Sequence, residues 1–234
     1  MTFSLCVREP YRDGDDNRQY RFGVGVTTRL PGVGAICPFV SEHGAVAVQS
    51  HASEWLGERI LSYLADGLAV DDAVAALLAA DDNRDNRQVH GVDATGSVAV
   101  TGSGCVEATA HHDGGAFTVA GNLLADEAVV EAVVAAYESD AFGDEPLAAR
   151  LIDALAAGVE AGGDKRELAV GSAAIEVATT EERSYRRFYN DLRVDASETP
   201  VADLRTTYEA ALLGYEQSLD AYADPDEIDS LRPE

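Results

Sequence analysis

The chain has 234 residues, of which 42 are acidic and 17 basic, so its formal net charge at pH 7 is −25. Duplex nucleic acids and anionic membranes both require clustered lysine and arginine on the protein that binds them. The composition therefore excludes nucleic acid and membrane as partners, while 46% hydrophobic residues predict a folded chain rather than a disordered one.

The charge also predicts the solvent in which the protein works. Lys165 is the single lysine, and the other basic residues are arginines. Repulsion among so many carboxylates destabilises a compact chain at ordinary ionic strength, whereas salt at about 1 M shortens the Debye length to about 3 Å. We therefore predict a protein from a salt-saturated cytoplasm. The alternative is an acidic protein from an ordinary cell.

Targeting segments and metal or disulfide frameworks are not predicted. The chain does not open with a basic segment and an apolar run, and no apolar stretch approaches about 18 residues, so we expect neither a signal peptide nor a membrane span. Cys6, Cys37 and Cys105 are odd in number and lack paired ligand spacing, which argues against disulfides and a structural zinc site. The expected location is the cytoplasm.

Strand patterns dominate the first half of the chain. Phe3, Leu5 and Val7 alternate with small or polar residues, which predicts a half-buried strand that begins at residue 2. A second alternation follows the polar, turn-rich segment 13–17, so we expect a hairpin. Strands are predicted at 2–8, 20–26, 34–40, 45–49, 88–93, 97–101, 117–120, 168–178 and 190–194.

Five helices are predicted from apolar residues at helical spacing. Ser53 caps the first, Pro146 begins the fourth, and the last spans 200–222. The elements follow in the order strands, two helices, strands, two helices, strands, helix, which favours helix layers flanking antiparallel sheet over a Rossmann-type fold. We expect residues 223–234 to form a frayed acidic tail. The apolar face of the fourth helix carries Leu147, Leu151, Leu155 and Val159.

Cofactor motifs in the chain are incomplete, and we expect no cofactor. Gly23-Val24-Gly25 and Gly102-Ser103-Gly104 lack the third glycine of a dinucleotide fingerprint, and no phosphate loop surrounds Lys165. The segment His111-His112-Asp113 is interpreted as a polar hairpin tip, with a metal-ligand cluster as the alternative.

Thr2 is the main candidate for a catalytic nucleophile. If the preceding methionine is removed, a strand-initial threonine presents its hydroxyl beside a free α-amine that can take the hydroxyl proton. The reference pKa of an α-amine is about 7.7–8.0, so it serves as a base near neutrality without a large shift. The alternative is an ordinary start of an edge strand.

Eight short motifs, in order along the chain, carry a resemblance to a known family. They are TFSLCVRE at 2–9, VAVQS at 46–50, LLAAD at 77–81, RQV at 87–89, TGSGC at 101–105, AGNLL at 120–124, AGGDKR at 161–166 and DLRVD at 191–195. From residue 2 to about residue 197 the chain resembles the family called domain of unknown function 1028, which is grouped with the N-terminal nucleophile (Ntn) hydrolases. The acidic composition indicates a haloarchaeal-type member.

The resemblance implies an α+β fold, a four-layer αββα sandwich of the Ntn-hydrolase type, over residues 1–199. Residues 200–234 are then a C-terminal helix packed on this domain, followed by the acidic tail. The resemblance also implies that the protein forms a homo-oligomer.

The resemblance further implies a site around Thr2. The catalytic residues would be Thr2 as nucleophile, with Asn122 and Asp164. Backbone and side chain at Gly121 and Asn122 are candidates for an oxyanion hole. Asp164 and Arg166 would orient the amine or bind a substrate carboxylate. The implied substrate-binding residues are Gln49, Gly121 and Arg166, and no metal is expected.

The predicted function is therefore an N-terminal-threonine amidohydrolase acting on a small amide or peptide-like metabolite. One alternative is a non-catalytic protein that keeps the fold as a binding or assembly module, and another is a metal-dependent hydrolase that uses His111 and His112. Asp191 and Arg193 are interpreted as a structural ion pair. Cys105 either lines the cleft or packs in the core.

Overall fold

The computed structural model describes residues 2–182, 185–222 and 231. The order of its elements is the predicted one. The strands are β1 (Thr2–Arg12), β2 (Arg18–Thr28), β3 (Pro38–Ser41), β4 (Gly44–Ser50), β5 (Arg87–Asp93), β6 (Ser97–Thr101), β7 (Ala110–Asp113), β8 (Phe117–Asn122), β9 (Gly171–Thr179) and β10 (Asp191–Ser197). The helices are α1 (Glu54–Ala65), α2 (Val70–Ala79), α3 (Ala128–Ser139), α4 (Leu147–Glu160) and α5 (Pro200–Tyr222).

The strands form two antiparallel sheets. One sheet has six strands in the order β10-β9-β2-β1-β8-β7, and the other has four in the order β3-β4-β5-β6. β1 therefore lies inside the larger sheet, where Thr2 pairs with Thr28 of β2 on one side and with Asn122 of β8 on the other. The predicted strand start at residue 2 is confirmed, and the edge-strand alternative is wrong.

Three hydrophobic clusters show how the helices and sheets are layered. Helices α1 and α2 pack on the four-stranded sheet, while α3, α4 and α5 pack on the six-stranded sheet. The third cluster combines residues of both sheets, such as Val24 of β2 and Ala47 of β4, and so lies between them. The layers run helices, sheet, sheet, helices. The expected mixed α+β class, with antiparallel sheets flanked by helices, is confirmed.

The alternation along β1 sends its side chains to two different clusters. Phe3 and Leu5 are buried in the helix-covered cluster, whereas Cys6 is buried between the sheets. Because side chains two residues apart share a face, Thr2 and Ser4 point to the second sheet with Cys6. Thr2, the candidate nucleophile, therefore faces the space between the sheets.

Small residues on β2 allow a helix to approach the sheet closely. A Cβ added to Gly23 would lie 2.9 Å from Cδ1 of Leu151 on α4, and one added to Gly25 would lie 3.3 Å from Cδ1 of Leu155. The two glycines lie on the face of β2 opposite Val24. A larger residue at Gly23 or Gly25 would require Leu151 or Leu155 of α4 to shift.

Two local predictions are wrong. The predicted strand 34–40 begins with a 3-10 turn at Val33–Ala35, because Gly32 adopts a left-handed conformation (φ +80°) and the Val33 N–H donates to Ser172 Oγ at 2.9 Å. The predicted hairpin tip at 111–113 is instead the edge strand β7, and the tip follows it at 114–116.

The C-terminal helix spans the predicted residues and packs on the larger sheet's cluster. Val201, Leu204, Tyr208, Tyr215 and Leu219 are buried along one face of α5. Most of the predicted acidic tail, residues 223–230 and 232–234, lies outside the described residues. Within the described ranges, no helix is both long and apolar enough to cross a membrane.

Candidate active site

Thr2 is half-buried at one end of the paired sheets. Its hydroxyl donates to the hydroxyl of Thr28, its neighbour on β2, with the two oxygens 3.3 Å apart. The start of β1 lies between the ends of β2 and β8. Gln88, at the start of β5, bonds across the two sheets to Asn122 and to the carbonyl of Gly121, and within its own sheet to Gln49 and Thr101 at the ends of β4 and β6. We refer to this region as the Thr2 end.

An arginine and a carboxylate lie next to Thr28. Arg166 Nη2 donates to Thr28 Oγ1 at 3.1 Å and to Asp164 Oδ2 at 2.9 Å. Asp164 also accepts the backbone N–H groups of Arg166 at 2.8 Å and Arg29 at 2.9 Å. A continuous set of hydrogen bonds therefore runs from Thr2 through Thr28 and Arg166 to Asp164.

The carboxylate of Asp164 stays ionised. Burial disfavours its charged form, but the hydrogen bonds from Arg166 and from the Arg29 N–H outweigh burial and hold the pKa of Asp164 below its usual range. The side chain of Arg166 is 25% exposed, and that of Asp164 is 3% exposed. The predicted pair therefore presents a fixed negative charge beside Thr28, with the arginine partly accessible.

Asn122 lies on the other side of Thr2 and is almost fully buried. Its Nδ2 donates one hydrogen to Gln88 Oε1 at 3.1 Å, which leaves the second hydrogen without an acceptor among the described residues. Gly121 is arranged differently, because its carbonyl accepts from Gln88 and its Cα faces Leu124, where a Cβ would lie 2.6 Å from Leu124 Cδ2. Of the two predicted oxyanion donors, the Asn122 side chain is the better placed.

Gln88 on β5 determines how the neighbouring amides are oriented. Its Nε2 donates to the carbonyls of Gly121 at 3.0 Å and Ala110 at 3.2 Å, and to Thr101 Oγ1 at 2.9 Å. Because carbonyl oxygens only accept, the nitrogen of Gln88 must lie on that side and its Oε1 on the other. Oε1 then accepts from both Asn122 and Gln49.

The same reasoning assigns the proton of a buried histidine. Gln49 gives its nitrogen to Gln88, so its Oε1 accepts from the Ser4 hydroxyl at 3.0 Å. Ser4 has then used its hydrogen, and His90 Nε2, 2.7 Å away, must donate to it. His90 Nδ1 is left as the acceptor for Thr118 at 2.9 Å. Burial lowers the pKa of His90 to about 3, so the ring is neutral.

Gln49 is part of this network rather than of an open surface. It is 1% exposed, and both ends of its amide bond to protein groups. It supports Asn122 through Gln88 and has no accessible surface for a substrate.

Two residues with left-handed backbone follow predicted site residues directly. Ser50 comes after Gln49 with φ +70°, and Leu123 comes after Asn122 with φ +54°. Such values are uncommon for residues other than glycine, and for a bulky side chain they store backbone strain of about 1–3 kcal/mol. Strained residues concentrate at functional sites, and both of these lie at the Thr2 end.

A connecting segment is tied to the turn after β8. The N–H groups of Leu123 and Leu124 donate to the carbonyls of Val106 at 3.1 Å and Ala108 at 3.0 Å, and Lys165 Nζ donates to the carbonyl of Glu107. Cys105, just before this segment, is half-buried and its Sγ lies 3.3 Å from the carbonyl of Arg87. Its thiol therefore packs against the start of β5.

The structure does not join Asp191 and Arg193. Asp191 pairs with Arg186 at 2.7 Å, and Arg193 pairs with Asp195 at 3.3 Å. The predicted ion pair between them is wrong, because each finds an opposite charge elsewhere on an exposed edge of the sheet.

The two histidines of β7 have different partners. His111 Nδ1 bonds to Thr101 Oγ1 at 2.9 Å, and the ring of His112 stacks on Phe117. Across the described ranges, no three His, Cys, Asp or Glu side chains are placed to hold a metal ion.

The sequence reasoning missed Thr28, Ser4, Gln88 and His90. A signal was present, because Ser4 shares a face of β1 with Thr2, and Gln88 and His90 are polar residues two apart in a strand that is buried along its whole length. Polar side chains at alternate positions of a buried strand need partners, which predicts a buried network.

Comparison with known proteins places the chain in a family. Residues 2–204 match the family described as "Family of unknown function (DUF1028)". The chain belongs to this family. It is similar to a solved structure, that of protein SPO2555 from Silicibacter pomeroyi, described as a DUF1028 protein, with 25% identity and a TM-score of 0.72 over 90% of this chain and 88% of that one. A search of curated proteins finds no match.

Proposed function

We propose that this DUF1028 protein is an amidohydrolase of the Ntn type, in which Thr2 attacks a small amide or peptide-like metabolite. The observation that carries the proposal is the position of Thr2 in an interior strand, between the Asn122 amide and the Thr28–Arg166–Asp164 contacts. The order of layers, with two sheets between two sets of helices, supports assigning the fold to the αββα sandwich of this superfamily.

The chemistry requires Thr2 to be the first residue of the chain. Its α-amine then takes the hydroxyl proton while Oγ1 bonds to the carbonyl carbon, and the carbonyl electron pair moves to oxygen. Collapse breaks the C–N bond, and the protonated amine passes its proton to the departing nitrogen. Water, activated by the same amine, hydrolyses the resulting Thr2 ester.

The neighbours of Thr2 have distinct roles in this mechanism. The second hydrogen of Asn122 Nδ2 would stabilise the oxyanion, for which one well-placed donor is worth about 2.7–4 kcal/mol. Thr28 accepts from Thr2 and so holds the rotamer of the nucleophile. The ionised Asp164 favours a protonated amine nearby, while Arg166 keeps that carboxylate in place.

The first test is the intact mass of the native protein. Catalysis by Thr2 requires the mass of a chain that begins at Thr2. A preparation in which every molecule retains Met1 would contradict the proposal, because the amine would then belong to the wrong residue.

The second test is acylation by a β-lactone, whose ring opens when a hydroxyl attacks its carbonyl, so that the protein gains the mass of the whole lactone. We expect one label on the wild type, none on Thr2→Ala, and a label on Thr2→Ser. Thr207→Ala on α5 is the matched control and should label like the wild type. Equal labelling of Thr2→Ala and wild type would favour the non-catalytic alternative.

A further inference from the structure

A cavity of about 240 Å³ adjoins Thr28 at the Thr2 end. Thr28 forms part of its wall and also accepts the hydrogen bond from Thr2, so the cavity lies one residue away from the candidate nucleophile. It lies on the helix-covered face of the larger sheet and is bordered by the end of α4 and the start of α5, whereas the Thr2 side chain points to the opposite face. Its lining includes Phe3, Thr28, Arg29, Val159, Asp164, Glu198 and Val201.

One side of the cavity is apolar. Val159 belongs to the apolar face of α4 and was expected in the core with Leu155, but it is 45% exposed and lines this cavity. Phe3 and Val201 also line it. These walls suit a short aliphatic group. Ligand pockets for drug-sized molecules measure about 300–1,000 Å³, so this cavity accommodates only a small molecule or one part of it.

Arg29 also lines the cavity, and part of its guanidinium is available for further hydrogen bonds. Arg29 Nη1 donates to the carbonyl of Glu198 at 3.1 Å, and among the described residues its guanidinium contacts no carboxylate. The carboxylate of Asp164, in the same wall, is already engaged by Arg166 and by the Arg29 N–H. Arg29 therefore lines the cavity with N–H groups that no carboxylate of the described residues engages, and a guanidinium can bind a carboxylate through two parallel hydrogen bonds.

We propose that this cavity binds the carboxylate-bearing half of the substrate. Arg29 holds the carboxylate, and Phe3, Val159 and Val201 hold a short aliphatic side chain. This inference rests on the proposed function, and it narrows the substrate to an acylated amino acid or short peptide. Its scissile amide would reach Thr2 from the helix-covered face by passing around the ends of β1 and β2, where Thr2 and Thr28 are paired. Arg166 then has a positioning role at Asp164 rather than being the carboxylate receptor.

The test measures binding in Thr2→Ala, which separates recognition from catalysis. The probes are N-acetyl-L-valine and the neutral N-acetyl-L-valinamide, titrated by calorimetry in molar KCl. We expect the acid to bind at least about tenfold more tightly than the amide. Adding Arg29→Gln should abolish that preference and leave amide binding unchanged, while Arg29→Lys should retain part of it.

Two further variants test whether the effect is specific to Arg29 and to the cavity. Arg59→Gln removes the same charge from α1, on the other sheet, and should preserve the acid preference. Val159→Phe fills the cavity and should abolish binding of both probes without touching Arg29. Equal affinity for acid and amide, an unchanged preference in Arg29→Gln, or no binding of the acid at millimolar concentration would each overturn the inference.

The outcomes distinguish the two proposals. β-Lactone labelling of Thr2 with no acid preference would overturn only the carboxylate site. An acid preference that depends on Arg29, with no labelling of Thr2, would leave a binding site and overturn the amidohydrolase proposal.

Discussion

Ser4 Oγ lies 2.7 Å from His90 Nε2, across the interface of the two sheets. A serine–histidine contact of this length is typical of a hydrolase nucleophile and its base, but this pair has a different role. Both residues are 0% exposed, and the pKa of His90 is lowered to about 3 by burial. His90 therefore donates to Ser4 as a neutral ring and cannot act as a base toward it.

Replacement of Ser4 tests the structural role of this pair. In Ser4→Ala the Nε2 hydrogen of His90 loses its acceptor in a fully buried position, and the free energy of unfolding should fall by about 1–3 kcal/mol. Urea denaturation measures the loss. Ser139→Ala, which removes an exposed hydroxyl at the end of α3, should change stability by less than about 0.5 kcal/mol. If the fold survives, Thr2 should still react with the β-lactone. Loss of labelling at unchanged stability would mean that Ser4 has a chemical role.

A buried ion pair joins β1 to the helices of the larger sheet. Arg150 Nη1 and Nη2 lie 2.6 and 2.7 Å from the two oxygens of Glu9, and the Tyr137 hydroxyl donates to Glu9 at 2.9 Å. Arg150→Met leaves the Glu9 carboxylate uncompensated, so we expect a loss of about 3–5 kcal/mol in urea unfolding. The double variant Glu9→Gln/Arg150→Met should lose less than Arg150→Met alone. An equal or larger loss in the double variant would show that packing, not charge, dominates.

Glu176 should make stability depend on pH. Burial raises its pKa from 4.5 to about 7, and repulsion from Asp191 adds to this effect. Attraction to Arg186 acts in the opposite direction but is weaker. A carboxyl group whose pKa is raised by folding stabilises the folded state at pH values below its unfolded pKa, and this contribution disappears as the pH rises through the folded pKa.

The free energy of unfolding of Glu176→Gln should therefore fall less than that of the wild type when the pH rises from about 4.5 to about 7. Since the side chain is only partly buried, we expect the wild type to lose about 2–3 kcal/mol more than the variant over this range. Urea unfolding at a series of pH values in molar KCl measures the difference. Parallel curves for the two proteins would contradict the assignment.

The net charge of −25 predicts that salt stabilises the fold. Screening relieves repulsion among the carboxylates, and each 1 kcal/mol gained raises the Tm of a chain this size by about 2–4 °C. We expect Tm to rise steadily between about 0.1 and about 3 M KCl. The variant Glu58→Gln/Glu209→Gln, at two exposed helix positions, should exceed the wild-type Tm in low salt and match it in high salt. A Tm that does not respond to KCl would favour an acidic protein of an ordinary cell.

Although β7 and the 3-10 turn at Val33–Ala35 could not be predicted, most elements, and helix layers flanking antiparallel sheet, could be, because alternation and helical spacing are local signals. Thr2–Arg12 and Pro200–Tyr222 illustrate this, since both begin where the pattern begins. The site was only partly predictable. Thr2 was predicted from its place at the start of a strand, and Asn122 and Asp164 from a family resemblance. Thr28 and Gln88 depend on the strand order, which brings residues far apart in sequence into contact. Arg29 and Val159 line the same cavity only because α4 and α5 pack on the larger sheet.

The interior place of β1 has a consequence for the order of folding. Its first neighbour, β2, follows after a short turn and can form a hairpin as soon as both strands are synthesised. Its second neighbour, β8, pairs Asn122 with Thr2 across about 120 residues of chain. Until half of the polypeptide has left the ribosome, one edge of β1 remains an open template for association with other chains. Slow translation through 13–116 would therefore lengthen the period in which a nascent chain is exposed to aggregation.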